Sequence, residues 1–516
     1  MNLPPFKNER LTDFSVEENR EDMFNALDLV YDSFGSEYRL VIGGEEIETK
    51  HVIESKNPAS PVEIVGKVYA ADKDLASRAV ENSHEAFASW AMVPATERVE
   101  HMLLAAAELR RRKHEISATM IFEIGKSWAE ADADVAEAID FLEYYARQML
   151  KLSGNQNVHP FNGEMTSYWY IPLGVGVIIP PWNFPSAILT GMTSSALVTG
   201  NTAILKPASD TPVVGAKIAQ ILNGTGLPDG VLNFVPGHGG TIGEALVVNP
   251  LTRFISFTGS MEVGKGIYEK ASVVWEGQHH LKRAITEMGG KDGLIIDDPC
   301  DIAMAAFGTV MSAFGYQGQK CSACSRAIAV ESIYDDFVKA LHEEVKKLTV
   351  GPTYDPSYYM GPVSSEQAFK KVMRYIEIGK KEAVLMSGGN WVGESGYFIE
   401  PTIFLDVDPM SRLGQEEIFG PVLSVIKATD FEDALRIANG TIYGLTGGIY
   451  SLDRQHIEKT KRELMVGNLY VNRKITGALV GIQPFGGYNM SGTCSKAGGP
   501  EHLLLFMQGK SIAERL

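Results

Sequence analysis

Cysteine is scarce in this chain, four residues in 516. So few cannot staple a fold of this length, which excludes the disulfide-rich secreted class and leads us to expect a reducing compartment, the cytoplasm. Also missing is any run of the roughly 20 apolar residues that would span a bilayer. The longest candidate, residues 173–181, is short and broken by Gly174, Gly176 and Pro180. The first ten residues have no basic stretch leading into an apolar one, so no secretory signal is expected. Positive charge is in deficit, with 47 basic against 64 acidic residues and a net charge of −17, and neither nucleic acid nor an anionic membrane is an expected partner. Solubility is the plain role of that charge. The eleven histidines show no His-Glu-x-x-His spacing, and His279 and His280 are adjacent and so point in different directions; no metal is expected.

What is present suits a globular protein of two or three domains, since 45% of the residues are hydrophobic and one core does not grow to this length. From Asp72 to about Leu150 the periodicity is helical, with Val99, Met102, Leu103, Ala106 and Leu109 on one face and Val135, Ile139, Leu142, Ala146 and Met149 on another. At Gly154 a polar stretch leads into Thr166-Ser-Tyr-Trp-Tyr-Ile171, whose aromatic and β-branched residues suit an exposed strand or hairpin. Short apolar runs at 176–179, 202–205, 231–235 and 254–257 each end near Gly or Pro and precede a helix-length amphipathic segment. That rhythm predicts a parallel sheet with helices on both faces, with a ligand crevice at the carboxyl ends of its strands. A second α/β series covers 293–297, 327–330, a helix over 334–348, and segments near 398–404 and 422–426, so a domain boundary is expected at 289–292.

Two further motifs tempt and fail. Gly259-Ser-Met-Glu-Val-Gly-Lys-Gly266 nearly spells a phosphate-binding loop, but Gly266 stands where a magnesium-binding hydroxyl is needed. Cys321-Ser-Ala-Cys324 has redox spacing without the context of a thioredoxin-like site or a second pair for zinc. Other segments resist a packing explanation when taken together. Pro180-Pro181-Trp182-Asn183-Phe184-Pro185 sets an amide among aromatics at a strand end, where it could face an oxyanion; a turn asparagine is the plainer alternative. Lys206-Pro207-Ala208-Ser209 and Phe257-Thr258-Gly259-Ser260 end the following runs, the second opening a helix whose free N–H groups could meet a pyrophosphate; a solvated Lys and a simple helix cap explain each alone. Glu287-Met-Gly-Gly-Lys291 puts a carboxylate before paired glycines, and Gly315-Tyr-Gln-Gly-Gln-Lys-Cys321-Ser322 puts a thiol after a polar turn. Gln415-Glu-Glu-Ile-Phe-Gly-Pro421 and Pro484-Phe485-Gly486-Gly487 add acids and aromatic walls.

These motifs, in this order and over nearly the whole chain, resemble the aldehyde dehydrogenase superfamily. Within it, 318–326, 470–485 and 486–492 are similar to the 1-pyrroline-5-carboxylate dehydrogenase family, which oxidises L-glutamate γ-semialdehyde to L-glutamate in proline breakdown. The resemblance implies a Rossmann-type cofactor domain (1–153 and 174–289), an α/β catalytic domain (290–475) and a small β oligomerisation element (154–173 and 476–516). A homodimer or an assembly of dimers is implied, and NAD as main cofactor with some NADP use. Cys321 is implied as nucleophile, Asn183 with the Cys321 N–H as oxyanion donors, and Glu287 as the base that activates water on an acyl thioester. Cofactor contacts are implied for Lys206 and Glu417 at the riboses, for Gly239, Gly259, Ser260 and Val263 near adenine and pyrophosphate, for Phe419 at the nicotinamide, and for Pro181, Trp182 and Gly289 beside them. Ser209 departs from the acidic residue many NAD-selective members carry, so a 2′-phosphate is repelled less. Ser322 with the backbone of Gly477 and Ala478 would hold the substrate carboxylate, and Phe184 and Phe485 would clamp its chain. Two other activities are weighed against this: a CoA-acylating dehydrogenase, for which Glu287 would be superfluous, and a non-redox cysteine hydrolase.

Overall fold

Residues 3–393 and 395–515 are described by a computed structural model. Two seven-stranded sheets organise it. In the first, the strands Arg283–Glu287, Thr252–Thr258, Val175–Ile179, Thr202–Leu205 and Leu232–Phe234 lie side by side and parallel. The hairpin Leu40–Ile42 and Glu45–Ile47 extends that sheet antiparallel at its far edge. Gly176 faces Phe254 across the pair, and a side chain there would meet the Phe254 ring at 2.1 Å, so this glycine is set by close packing.

Four helices occupy the stretch read as helical: Lys73–Trp90, Ala95–Arg111, Lys113–Ile124 and Trp128–Leu152. Asp72 caps the first by accepting the Leu75 N–H at 2.9 Å, and Ser127 caps the last by accepting from Glu130 at 3.4 Å. The expected faces are buried, Leu103 only partly, in one core with the helices Ala187–Val198 and Pro212–Asn223. Each large side chain so buried contributes about 1.5–3 kcal/mol through removal of apolar surface from water, which fixes these helices against the sheet.

The second sheet runs Val384–Ser387, Thr402–Leu405, Val422–Ala428, Arg326–Val330, Gly293–Ile296, Thr446–Tyr450 and Asn468–Val471, all parallel except the first strand. Of the segment near 398–404, Thr402–Leu405 joins this sheet, while Ile399 before Pro401 makes an isolated antiparallel bridge with Trp391. The first sheet's last strand ends at Glu287 and the second sheet's first strand begins at Gly293, so 288–292 crosses between them.

The strand Glu164–Pro172 pairs antiparallel along its whole length with Met507–Arg515. Residues 476–506 do not join this ribbon. They fold back on both sheets, with Phe485 and Ala497 exchanging backbone hydrogen bonds and the Met288 N–H donating to Ser491 at 2.8 Å. Left-handed Cys494 and Lys496, at φ +59° and +45°, help turn the chain there. No reading from sequence covered the small sheet of Ser36–Tyr38, Ser60–Tyr69 and Val52–Asn57: the first strand is three residues long, and in Val52–Asn57, where burial alternates strictly, polar Ser55 and Asn57 occupy buried positions that would otherwise signal a strand. Among the described residues no helix is long and apolar enough to cross a membrane.

Candidate active site

The crossing at 288–292 joins the carboxyl end of Arg283–Glu287 in the first sheet to the amino end of Gly293–Ile296 in the second. Pro180 and Pro181 stop the strand Val175–Ile179, and the chain turns through Asn183 into the helix Ala187–Val198. Asn183 is buried, and one of its amide hydrogens goes to the Gln319 carbonyl at 2.9 Å, two residues before Cys321. The second amide hydrogen is free to serve another acceptor. Among the described residues the Cys321 N–H donates to no backbone carbonyl. Gln319 is fixed in turn, its side-chain oxygen accepting the Ser364 N–H at 2.9 Å.

Cys321 lies in the tight loop between the helix Ile302–Phe314 and the strand Arg326–Val330. Tyr316 and Gln317 take left-handed angles of φ +51° and +54°, sparsely populated for side chains of this size. The loop lines a cavity with Gly290, Glu417 and Phe419. Burial, followed by the nearby carboxyls of Asp292, Glu417 and Glu287, pushes the Cys321 thiol up, so the thiol form is favoured in this state. Those carboxyls are themselves shifted upward by burial, Glu287 to about 7 and Asp292 and Glu417 in the same direction, which lessens their negative charge near neutrality. Cys324 is buried, with its sulfur 3.5 Å from the Arg326 carbonyl oxygen, and it forms no disulfide.

Glu287 closes the strand Arg283–Glu287. One carboxylate oxygen accepts the Ser495 N–H at 2.9 Å and the other the Gly487 N–H at 3.2 Å. Gly486 and Gly492 crowd it so closely that a side chain at either would stand 3.0–3.1 Å from its oxygens. Thus part of the 476–516 segment read as an oligomerisation element packs on the expected base.

Of the expected cofactor residues, Lys206 and Ser209 follow the strand Thr202–Leu205, and Gly259 and Ser260 follow Thr252–Thr258, at neighbouring carboxyl ends. Ser260 caps the helix Met261–Ser272 by accepting the Val263 N–H at 3.4 Å. Gly239 opens a single π-helical turn after Leu232–Phe234. Lys206 is only 4% exposed, and its ammonium reaches the Pro207 carbonyl at 3.2 Å; burial lowers it to about 8. A buried cation with one neutral acceptor has donors to spare for ribose hydroxyls. Glu417 accepts the Gly290 N–H at 3.1 Å, and a side chain at Gly289 would strike the Glu417 carboxylate at 2.0 Å. Trp182 meets Phe419 edge to face, centroids 5.4 Å apart. Buried cation, carboxylate, helix N-terminus and aromatic pair together fit a dinucleotide.

Of the expected substrate residues, Phe184 meets Tyr316 edge to face at 6.3 Å, and the Ser322 carbonyl accepts from the Thr446 hydroxyl at 3.3 Å. Gly477 is left-handed at φ +77°, and among the described residues neither its N–H nor that of Ala478 donates to a backbone carbonyl. Phe485 stands beside Gly486, which faces Glu287. Sequence reasoning missed several groups here. Lys126 sits against Phe184 and Tyr316, and Asp292 holds the Thr446 N–H at 2.9 Å. Glu137, pushed up to about 8 by burial and then by Asp134, acts electrostatically on Cys321. Gly125-Lys126 reads as an ordinary helix end followed by a surface Lys, so nothing in the sequence marked it.

Comparison with known proteins covers almost the whole molecule. The model of the aldehyde dehydrogenase family matches residues 45–512. The chain is 55% identical over 512 residues to the 1-pyrroline-5-carboxylate dehydrogenase of Geobacillus sp. (strain WCH70), covering 99% of each chain. A 1-pyrroline-5-carboxylate dehydrogenase from Thermus with bound NAD superposes with a TM-score of 0.98 at 50% identity over 100% of both chains. A mutant of the Thermus thermophilus enzyme of that name gives 0.99 at the same identity and coverage. With a thiol loop, a buried amide, a sheltered carboxyl and a dinucleotide crevice on one scaffold, and with that match along its length, the chain belongs to the aldehyde dehydrogenase family.

Proposed function

We propose that this chain oxidises L-glutamate γ-semialdehyde, the open form of 1-pyrroline-5-carboxylate, to L-glutamate with NAD, as a step of proline degradation. The observation that carries the reading is its full-length likeness to dehydrogenases named for that substrate. The chain's own residues supply a route. NAD, when bound, provides the acceptor for the hydrogen and electron pair that the aldehyde carbon gives up. Lys206 and Glu417 would hold its riboses, the N-terminus of Met261–Ser272 its pyrophosphate, and Trp182 and Phe419 its nicotinamide side. Cys321 attacks as thiolate, forming a carbon–sulfur bond while the carbonyl oxygen becomes an oxyanion held by the second Asn183 amide hydrogen and the Cys321 N–H. Loss of hydrogen with its electron pair leaves a thioester on Cys321. Glu287, ionised, takes a proton from water, whose oxygen attacks the thioester carbon; the carbon–sulfur bond then breaks, releasing the acid and returning the thiolate.

Recognition of the amino-acid end follows from charge. The free N–H groups of Gly477 and Ala478 with the Ser322 hydroxyl suit the α-carboxylate, and Phe184 and Phe485 the aliphatic chain. Exposed Met165, Trp169 and Ile512 on the Glu164–Pro172 and Met507–Arg515 ribbon suit pairing with a second copy in a homodimer or dimer-based oligomer.

The test is steady-state turnover with glutamate γ-semialdehyde, succinate semialdehyde and propanal, each with NAD and with NADP and without CoA. The highest kcat/KM is expected for glutamate γ-semialdehyde with NAD, with measurable NADP turnover because Ser209 brings no negative charge to repel the 2′-phosphate. Preference for propanal, or a requirement for CoA, would overturn the reading. Asn183→Ala should lower kcat by about 10²–10³, the scale of one lost oxyanion donor, with NAD binding by fluorescence titration unchanged; a change in KM alone would remove Asn183 from that role.

A further inference from the structure

Lys126 is buried completely at the end of the helix Lys113–Ile124, just after left-handed Gly125. Its ammonium lies 2.9 Å from Asp134, equally inaccessible, and sits 4.0 Å from the centroid of the Phe184 ring and 4.4 Å from that of Tyr316. The same corner grips both walls of the site. Asp134 accepts the Ala187 N–H at 2.6 Å, at the start of the helix that the Asn183 turn enters. The Gly125 carbonyl accepts from the Gln317 side chain at 2.9 Å, within the left-handed stretch that leads to Cys321.

We propose that Lys126 is a specificity-positioning residue: clamped between the Phe184 and Tyr316 rings and pinned by Asp134, its ammonium fixes the Phe184 wall against which the chain of the amino-acid semialdehyde lies. The proposal rests on the reading of Phe184 as a substrate contact made above. An ion pair that served the fold alone would need only Asp134. Bringing a lysine into full burial costs desolvation that Asp134, its direct partner, offsets in part with Glu130 and Glu137 acting from further off, and two aromatic faces in a water-free setting add attraction that depends on direction. That directionality separates Lys126 from an apolar filler. Dispersion would tolerate a tilted Phe184 ring, while a cation over the ring centre favours one orientation. Because Asp134 neutralises the ammonium, the clamp orders the wall without placing a net charge behind the substrate.

The experiment compares Lys126→Met/Asp134→Asn, which leaves no unpaired buried charge, with Lys126→Arg and Phe184→Leu in the full-length enzyme. It reads kcat and KM for glutamate γ-semialdehyde and for propanal, and KM for NAD. For the double variant the expected result is a rise of about tenfold in KM for the semialdehyde, with kcat and both other constants within about threefold, and with most of the loss recovered in Lys126→Arg. Should the double variant not fold, Lys126→Gln/Asp134→Asn, a neutral hydrogen-bonding pair that likewise leaves no buried charge, carries the same expected split. If Phe184→Leu raises the semialdehyde KM while the Lys126 and Asp134 variants leave it unchanged, the clamp is refuted and the substrate reading stands. If Phe184→Leu has no effect, the substrate reading of Phe184 falls and the clamp with it. Equal losses for both aldehydes and for NAD would mark Lys126 as a fold residue only.

Discussion

Cys321→Ser is expected to end aldehyde oxidation, lowering kcat by about 10⁴-fold or more, the scale on which losing a covalent nucleophile acts. An alcohol of ordinary acidity supplies almost no anion at neutral pH, and the surroundings of position 321 disfavour an anion further. Burial and the carboxyls of Asp292, Glu417 and Glu287 already push the more acidic thiol upward. The loop itself should survive the exchange, since its shape depends on Gln317 bonding to Gly125 and Pro362 and on Gln319 bonding to Asn183 and Ser364, and none of these contacts uses the sulfur. NAD binding, followed by fluorescence titration, should therefore be unchanged while turnover disappears. Cys324 cannot take over, because it is buried behind the loop with its sulfur beside the Arg326 carbonyl. Substantial oxidation by the Ser variant would mean that the covalent step lies elsewhere.

How much of this could be read from the chain alone depends on what kind of physical signal each feature leaves. The strands Val175–Ile179, Thr202–Leu205 and Thr252–Thr258 were legible because they are buried on both faces and punctuated by Gly or Pro. The helical faces around Val99 and Val135 were legible for the corresponding reason at a period of 3.6. The expected residues Asn183, Glu287, Cys321 and Glu417 could be named because each sits in a local string with glycine, proline or aromatic neighbours that packing does not require. Illegible were relations between distant segments. Nothing near Lys126 signals that it ends between two aromatic rings. Nothing near Ser495 signals that its N–H holds Glu287, a pairing across 208 positions. The hairpin Leu40–Ile42 and Glu45–Ile47 left little trace either: its strands are three residues long, and Glu45 and Glu46 face solvent. Charge gave a further surprise. A thiol that must act as an anion is set among carboxyls; burial raises those carboxyls too, which weakens their repulsion near neutrality, while burial of the thiol itself, the larger cause, still favours its neutral form.

Glu287→Gln should separate the two halves of the reaction. Attack by Cys321 and oxidation of the bound aldehyde do not need the carboxylate, so a first turnover should still release one equivalent of reduced cofactor per site as a burst. Thioester hydrolysis does need a base, and steady-state kcat should fall by about 10²–10⁴, the usual scale for a lost general base. Burial lifts the Glu287 carboxyl to about 7 against the opposing pull of the Ser495 and Gly487 N–H groups. The direction of the pH effect follows from which form works. The base acts when ionised, so the wild-type steady-state rate should be half its plateau near pH 7, full well above it, and should fall about tenfold per unit well below it as the carboxyl takes up its proton. The amplitude of the burst should not share that acid limb, although its rate should fall with pH as the Cys321 thiolate is lost, and the Gln variant, having no proton to bind there, should lose the limb from its residual rate. Rapid-mixing absorbance measurements across this range resolve burst and steady state in one trace. A burst lost together with the steady state would place Glu287 in the activation of Cys321 rather than in hydrolysis. That outcome is disfavoured by the carboxyl's position, since its ionised form raises the thiol instead of easing its ionisation.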